Sequence, residues 1–401
     1  ACPTYALWGQ EMDSPRGRIY LIKMASEGTT KMTPQWVQHF DSCLGCMSCM
    51  TACPSGVDYG KLIEATRAQI ERHHPRSLGE RLHRRMIFEL FPNVARLRTM
   101  RPFLKFYQSS GIQAALRGLG IFNLLPKRLR TMESLLPPLG EHTEIPSVTP
   151  AQGIQRKRVG LLLGCVQREF LSEVNAATVR VLSAEGCEVV APPTQGCCGA
   201  LLVHAGEETP ALDLARRVIE EFESANVDVV ITNAGGCGSN VREYAHQLRD
   251  DPDYAERAKR FSAKCRDITE FLAELGPRAP RHPIDARVAY HDSCHLQHAQ
   301  RVRTQPRELL GAIPQAEILE IPESAICCGS AGIYNMVQPD TAQVLADRKA
   351  DFITPLKADF VATGNPGCLI QLQSALQRKG EKTRVLHTIQ ILDASLRGIK
   401  P

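Results

Sequence analysis

The sequence predicts an α+β multidomain protein: a helical amino-terminal part, then two copies of one α/β unit built on parallel sheets. Three observations carry this reading. Cysteines near the start stand at the short, regular intervals of a metal-binding run. From residue 158 short apolar strand-like runs alternate with helical stretches, which implies parallel strands joined by right-handed crossovers. A Cys…Cys-Cys-Gly…Cys pattern then occurs twice, its members displaced by 129, 130 and 131 residues, which marks an internal duplication.

Residues 1–60 hold five cysteines in two short groups. In CLGCMSCMTACP, Cys43, Cys46, Cys49 and Cys53-Pro54 have the C-x2-C-x2-C-x3-C-P spacing of a bacterial [4Fe–4S] ferredoxin. The fold expected here is an α-helical two-cluster ferredoxin-like domain. In two-cluster ferredoxins the last cysteine of each run ligates the other run's cluster. Cys2-Pro3 reads as the last step of an identical first run, whose other three cysteines would lie upstream of this chain. Cys2, Cys43, Cys46 and Cys49 are therefore expected to hold one [4Fe–4S] cluster, and Cys53 to serve the other. The alternatives are a lone thiol at Cys2, and zinc or buried thiols for the run.

Residues 61–150 contain no cysteine and read as a basic helical bridge and linker. Residues 61–132 carry 15 Lys/Arg against 4 Glu and no Asp, although the whole chain is only +5. Amphipathic helices with Arg beside Leu, Phe and Ile suit a solvated face, a membrane surface or a partner subunit. Nucleic acid is not an expected partner, because charge alone speaks for it. LLPPLGEHTEIPSVTPAQG, 135–153, reads as a linker.

Residues 151–280 and 281–401 read as two cysteine-rich α/β domains. The first has strands at 158–164, 187–191 and 227–232, with helices over 173–186 and near 207–225. The second repeats the order with strands 287–292, 316–321 and 358–363 and helices 303–311 and 339–354. Each cysteine group follows a strand: Cys165, Cys197-Cys198 and Cys237 in one half, Cys294, Cys327-Cys328 and Cys368 in the other. Loops at the carboxyl ends of parallel strands converge on one edge, where ligands bind. Four thiols per half can thus meet. They suit an iron–sulfur cluster, zinc, or a vacant thiol group. Adjacent cysteines sit more easily on a multi-iron cluster than on one tetrahedral ion.

Cys187, at the start of a strand, and Cys265, in the helical-looking KCRDITEFL, read as buried small hydrophobes. His291, His295 and His298 surround Cys294, where they either tune a cluster through its sulfurs or serve as polar loop residues. No Ser-His-Asp order, P-loop or G-x-G-x-x-G after a strand is present. A flavin or nicotinamide site is therefore unsupported, and no catalytic acid or base is expected. Fifteen cysteines, an odd and clustered set, argue against a disulfide framework. No uncharged run of 18 apolar residues suggests a membrane span.

CPTYALWGQEMDSPRGRIYLIK, CLGCMSCMTACPSGVDYG, GCCGALLVH, CHLQHAQ and CCGSAGIYNM together resemble the iron–sulfur subunit of bacterial glycolate oxidase (glycolate dehydrogenase) over nearly the whole chain. The duplicated halves are similar to the cysteine-rich (CCG) domains of heterodisulfide reductase. The resemblance implies an electron-transfer subunit that works with flavin-bearing glycolate oxidase subunits. It implies passage of electrons to quinone or another acceptor, at the cytoplasmic face of the inner membrane. Heterodisulfide-type domains end in C-x-x-C. Here Cys237 is followed by Gly238-Ser239-Asn240 and Cys368 by Leu369-Ile370-Gln371, which favours an ordinary [4Fe–4S] cluster or an altered site. Alternative expectations are a thiol–disulfide reductase, a D-lactate dehydrogenase iron–sulfur subunit, and a zinc-stabilised scaffold.

Overall fold

The computed structural model describes residues 2–401. Its two sheets share one four-stranded parallel connectivity, to which the first adds an antiparallel edge strand. The first runs β1 (Val148–Thr149), β3 (Cys187–Val190), β2 (Lys157–Leu162), β4 (Val229–Thr232), β5 (Cys265–Asp267) across the sheet. The second runs β7 (Ala316–Glu320), β6 (Ala286–His291), β8 (Phe360–Thr363), β9 (Arg384–His387). All pairings are parallel except that of β1 with β3, where Val148 faces Val190. The central strands are buried apolar runs because helices cover both faces.

The sequence pattern predicts three strands per half. Each half has a fourth, β5 and β9, both short and interrupted by charge. Cys265 consequently does not sit in a helix: it opens β5, pairs in register with Val230, and is 1% exposed. The helix of that stretch starts three residues later, at Ile268, capped by Asp267 through the Thr269 N–H at 2.8 Å. The Pro- and Thr-rich stretch before residue 154 is also not featureless, since β1 closes one edge of the first sheet.

The halves pack reciprocally. The helix leading into the outer strand β3 or β7 of one half lies against the last helix of the other: Ser172–Ala184 against Thr388–Arg397, and Gln305–Gly311 against Ile268–Leu275. Such an exchange is the signature of a pseudo-twofold interface. One apolar core runs through both halves, joining Val159, Leu161, Leu182 and Ile231 to Val288, Phe360, Ile389 and Leu392. Truncating one of these leucines to alanine would cost about 2–5 kcal/mol. At the rim Arg180 grips the buried Asp393 with two hydrogen bonds of 2.9 and 2.8 Å.

The basic segment folds as five α-helices: Tyr59–His73, Leu78–Leu90, Val94–Ser109, Ile112–Gly118 and Lys127–Ser134. Ser77 caps the second, accepting from the Glu80 N–H at 3.3 Å, and Asn93 caps the third, accepting from Arg96 at 3.1 Å. Ile87 is wedged against Ala205 of the first half and Ile333 and Met336 of the second. Leu97 covers Cys165 and Cys197. The outer faces remain apolar: Leu78, Leu82, Phe103, Phe106, Leu119 and Leu124 are exposed. Among the described residues no helix is long and apolar enough to cross a membrane.

Candidate metal centres

The amino-terminal cysteines converge. Cys2 stands at the start of the helix Pro3–Trp8. The run from Cys43 is bent by left-handed backbone at Gly45 and Met47, which turns three thiols inward. Cys2, Cys43, Cys46 and Cys49 line one cavity, together with Arg18, Met47 and Tyr59. Cys53 does not line it. That thiol is partly exposed and faces the backbone N–H groups of Val57, Ser55 and Gly56, which lower its pKa.

Arg18 is the group sequence reasoning missed, although it lies in the quoted DSPRGRIYLIK. It is 1% exposed. Its Nε donates to the His39 carbonyl at 2.6 Å, Nη1 to the Asp13 carbonyl at 2.6 Å, and Nη2 to Ser42 Oγ at 3.1 Å. Nη1 also lies 3.8 Å from Cys2 Sγ. A guanidinium so enclosed places a fixed positive charge against the thiols. Burial pushes the Cys43 thiol up, but Arg18 and Arg67 outweigh it and hold it below its ordinary value. The Gly45 N–H at 3.4 Å and the Tyr59 hydroxyl at 3.6 Å also donate to Cys43 Sγ. Cys49, with less help, is pushed up by burial to about 12.

In both halves the thiols gather at the carboxyl ends of the parallel strands. In the first, Cys165 follows β2, Cys197-Cys198 follow β3, and Cys237 lies in the helix after β4. They form a chain of neighbours, Cys165 to Cys197 and Cys198 to Cys237. In the second, Cys294 Sγ is 3.8 Å from Cys327 Sγ, and Cys328 neighbours Cys368. The glycine after each Cys-Cys pair has a left-handed backbone, φ +83° at Gly199 and +87° at Gly329. A Cβ at Gly329 would meet the Ala342 carbonyl oxygen at 2.5 Å, so no other residue fits there.

The second site has additional polar neighbours. His291 ends β6 and is 1% exposed, and neither ring nitrogen has a hydrogen-bond partner among the described residues. Leaving such a group unpaired costs about 1–3 kcal/mol. Burial holds its pKa down at about 3, so the ring is neutral. The Lys349 ammonium, also buried, donates to the Glu323 carbonyl at 2.5 Å. Asn365 Nδ2 lies 3.5 Å from Cys368 Sγ.

The amino-terminal and second cysteine-rich sites touch. Leu44, Cys46, Cys294, Cys327 and Tyr334 belong to one buried cluster. Burial first, then Cys327, raises the Cys46 thiol well above its ordinary value. His298, one of the three histidines noted in the sequence, has Nδ1 2.8 Å from Thr51 Oγ1 and donates Nε2–H to the Ala325 carbonyl at 3.0 Å. His295 stacks on His204 of the first half, ring centroids 4.8 Å apart. Arg67 donates to the His204 carbonyl at 2.7 Å and also to that of Cys43. The two halves meet beside their last thiols, Cys237 and Cys368, through the Gly235 N–H to the Gly364 carbonyl at 3.0 Å.

Convergent thiols, N–H donors on sulfur and a buried cation fit an iron–sulfur cluster, which needs thiolate ligands and compensation of its negative charge. The fold and these sites define an iron–sulfur protein with a dicluster domain and a duplicated cysteine-rich domain. Family models agree: "4Fe-4S dicluster domain" matches residues 1–58, and "Cysteine-rich domain" matches 159–242 and 288–373. "Glycolate oxidase iron-sulfur subunit, linker region" matches 79–136, within the basic helical segment. The chain is 40% identical over 405 residues to the probable glycolate oxidase iron-sulfur subunit of Bacillus subtilis (strain 168), covering 98% of this chain and 90% of that one. It is 34% identical over 399 residues to the glycolate oxidase iron-sulfur subunit of Escherichia coli (strain K12), covering 98% and 91%. Lactate utilization protein A of Oceanobacillus iheyensis is 29% identical over 242 residues, 60% of this chain and 98% of that one. This chain belongs to the family of glycolate oxidase iron–sulfur subunits.

Proposed function

We propose that this chain is the electron-relay subunit of a membrane-associated glycolate (2-hydroxy-acid) dehydrogenase, taking electrons from a flavin-bearing partner towards quinone. The observation that carries this is the burial of Cys46 against Cys294 and Cys327. It brings the ferredoxin-type thiols and the second cysteine-rich thiols into one buried cluster. Bound iron–sulfur clusters supply one-electron storage and transfer. Cys2, Cys43, Cys46 and Cys49 are the proposed ligands of one [4Fe–4S] cluster, and Cys53 serves a second. Cys165, Cys197, Cys198 and Cys237, and Cys294, Cys327, Cys328 and Cys368, are the proposed ligands in the two halves. We read domains at 151–280 and 281–401, the first joined by the edge strand β1 from the segment before it, after a ferredoxin-like domain at 1–60 and a bridge at 61–150.

The chain's own residues insulate and position these thiols. Arg18 supplies charge compensation, Leu44 and Tyr334 exclude water from the junction, and Leu97 shields Cys165 and Cys197. In this reading substrate oxidation belongs to the flavin-bearing partner. The exposed Phe103, Phe106, Leu119 and Leu124, in a segment rich in Arg, support peripheral binding to anionic lipid at the cytoplasmic face of the inner membrane.

The test is reconstitution with the flavin-bearing subunits. Glycolate-dependent quinone reduction should need this chain and should fall at least tenfold with Cys294→Ser or Cys327→Ser. D-Lactate in parallel assigns the hydroxy acid. Oxidation of glycolate by this chain alone would overturn the reading.

A further inference from the structure

The two cysteine-rich halves differ at one position beside their thiols. β2 and β6 are equivalent strands, and each ends three residues before the first cysteine of its half. In the first half that last residue is Leu162, 2% exposed and packed among Val190, Val218 and Val230. In the second it is His291, equally enclosed. A leucine there completes an apolar layer. An imidazole there must find a partner, because each ring nitrogen either donates or accepts.

Neither His291 nitrogen has such a partner among the described residues. What the ring faces instead is sulfur. A His291 ring nitrogen, Cys328 Sγ and Cys368 Sγ all lie within 4.8 Å of one another, and all three residues are buried. Asn365 adds a hydrogen bond to Cys368, the outer-shell support that metal ligands ordinarily have. The arrangement has no counterpart in the first half, where the same place on the strand offers only a side chain without donor atoms.

We propose that His291 is a nitrogen ligand, with Cys328 and Cys368, of the metal centre in the second cysteine-rich half. The inference rests on the reading that this half holds an iron–sulfur centre. It makes the two halves chemically unlike: all-thiolate in the first, mixed nitrogen and thiolate in the second. In this assignment His291 takes one of the four ligand positions, so that one of the half's four thiols is left off the metal, and a neutral imidazole in place of a thiolate removes one negative charge from the ligand set. Histidine ligation raises the reduction potential of an iron–sulfur centre for that reason. The second half, the one in contact with Cys46, would then be the stronger electron acceptor of the two.

The experiment uses the full chain, purified without oxygen, in wild-type form and as His291→Leu and His291→Cys. Iron and zinc are counted, and pulsed electron paramagnetic resonance is recorded during a redox titration. The expected result is a directly coordinated nitrogen signal on the cysteine-rich centre that reduces first. Both variants should lose that signal. His291→Cys should retain the wild-type iron count while its potential falls, and it serves as the fold control if His291→Leu loses iron. A wild-type spectrum with iron in both halves but no coordinated nitrogen would overturn the assignment and leave the iron–sulfur reading standing. Iron confined to the amino-terminal domain, with the second half empty or holding zinc, would overturn both.

Discussion

Tyr334 donates its hydroxyl to the Ser42 carbonyl at 3.1 Å, so a residue six positions after Cys328 is fastened to the residue just before Cys43. This bond closes the junction between the amino-terminal and second cysteine-rich sites. Its ring is 4% exposed and shares a cluster with Cys46, Cys294 and Cys327. Tyr334→Phe keeps the ring and removes the donor. It should lower stability by about 1 kcal/mol, read from the urea midpoint, with iron content unchanged. Tyr334→Ala also opens the junction and should cost about 3–5 kcal/mol.

Arg18 separates charge from shape in the amino-terminal site. Arg18→Lys keeps a cation but cannot reproduce the fork that reaches His39, Asp13 and Ser42. It should retain the cluster with weakened iron binding. Arg18→Met removes the charge as well. The midpoint potential of the remaining cluster should then fall by up to about 100 mV, the scale of one charge several ångströms away at an effective dielectric near 20. Redox titration of the two variants distinguishes these effects.

Cys49 and Cys53 are only a short helix apart yet belong to different surroundings. Cys49→Ala should remove the cluster held with Cys2, Cys43 and Cys46, lowering iron and acid-labile sulfide together. Cys53→Ala should leave that cluster's count and spectrum unchanged. Equal losses in both variants would contradict the assignment.

His387 gives a pH prediction. It caps the helix Thr388–Arg397, its Nδ1 accepting from the Ile389 N–H at 3.1 Å, so the ring is neutral when folded. Burial lowers its pKa from the ordinary 6.5 to about 4. The unfolded chain therefore takes up the proton first as pH falls. The stabilisation is present above pH 6.5 and is lost as pH drops through that value towards 4. Between pH 7 and 5 this one group should remove about 2 kcal/mol, measured by urea unfolding at each pH. His387→Asn, which can still cap, should flatten that part of the slope.

Much of this architecture is legible because the signals are local. The long buried strands announce themselves as RVGLLLG and RVAYHD, and the repeated cysteines mark the duplication. The fourth strand of each half escapes, since CRD and RVLH are too short and charged to show a period; their place is set by the neighbouring strand. Cys265 reads as helical for the same reason. The groups of thiols follow from spacing, but the burial of Cys46 in one cluster with Cys294 and Cys327 is a tertiary event between segments far apart in the chain. Arg18 looks like one more basic residue, because no pattern marks an arginine as buried. His291 stands out beside Cys294, yet its want of a partner is visible only once the surrounding core is built.

The bond from Gly235 to the Gly364 carbonyl, with Gly236 held by Asn365 at 3.2 Å, seams the two halves together beside their metal-binding ends. For a relay this is a statement about timing. Electron hops are steeply sensitive to distance, and a hinge at this seam would make each hop wait for a favourable fluctuation. A backbone-to-backbone stitch works against such a hinge. The pace of transfer would then be governed by the affinities of successive sites for an electron, as in a wire of fixed length, and not by the breathing of the protein.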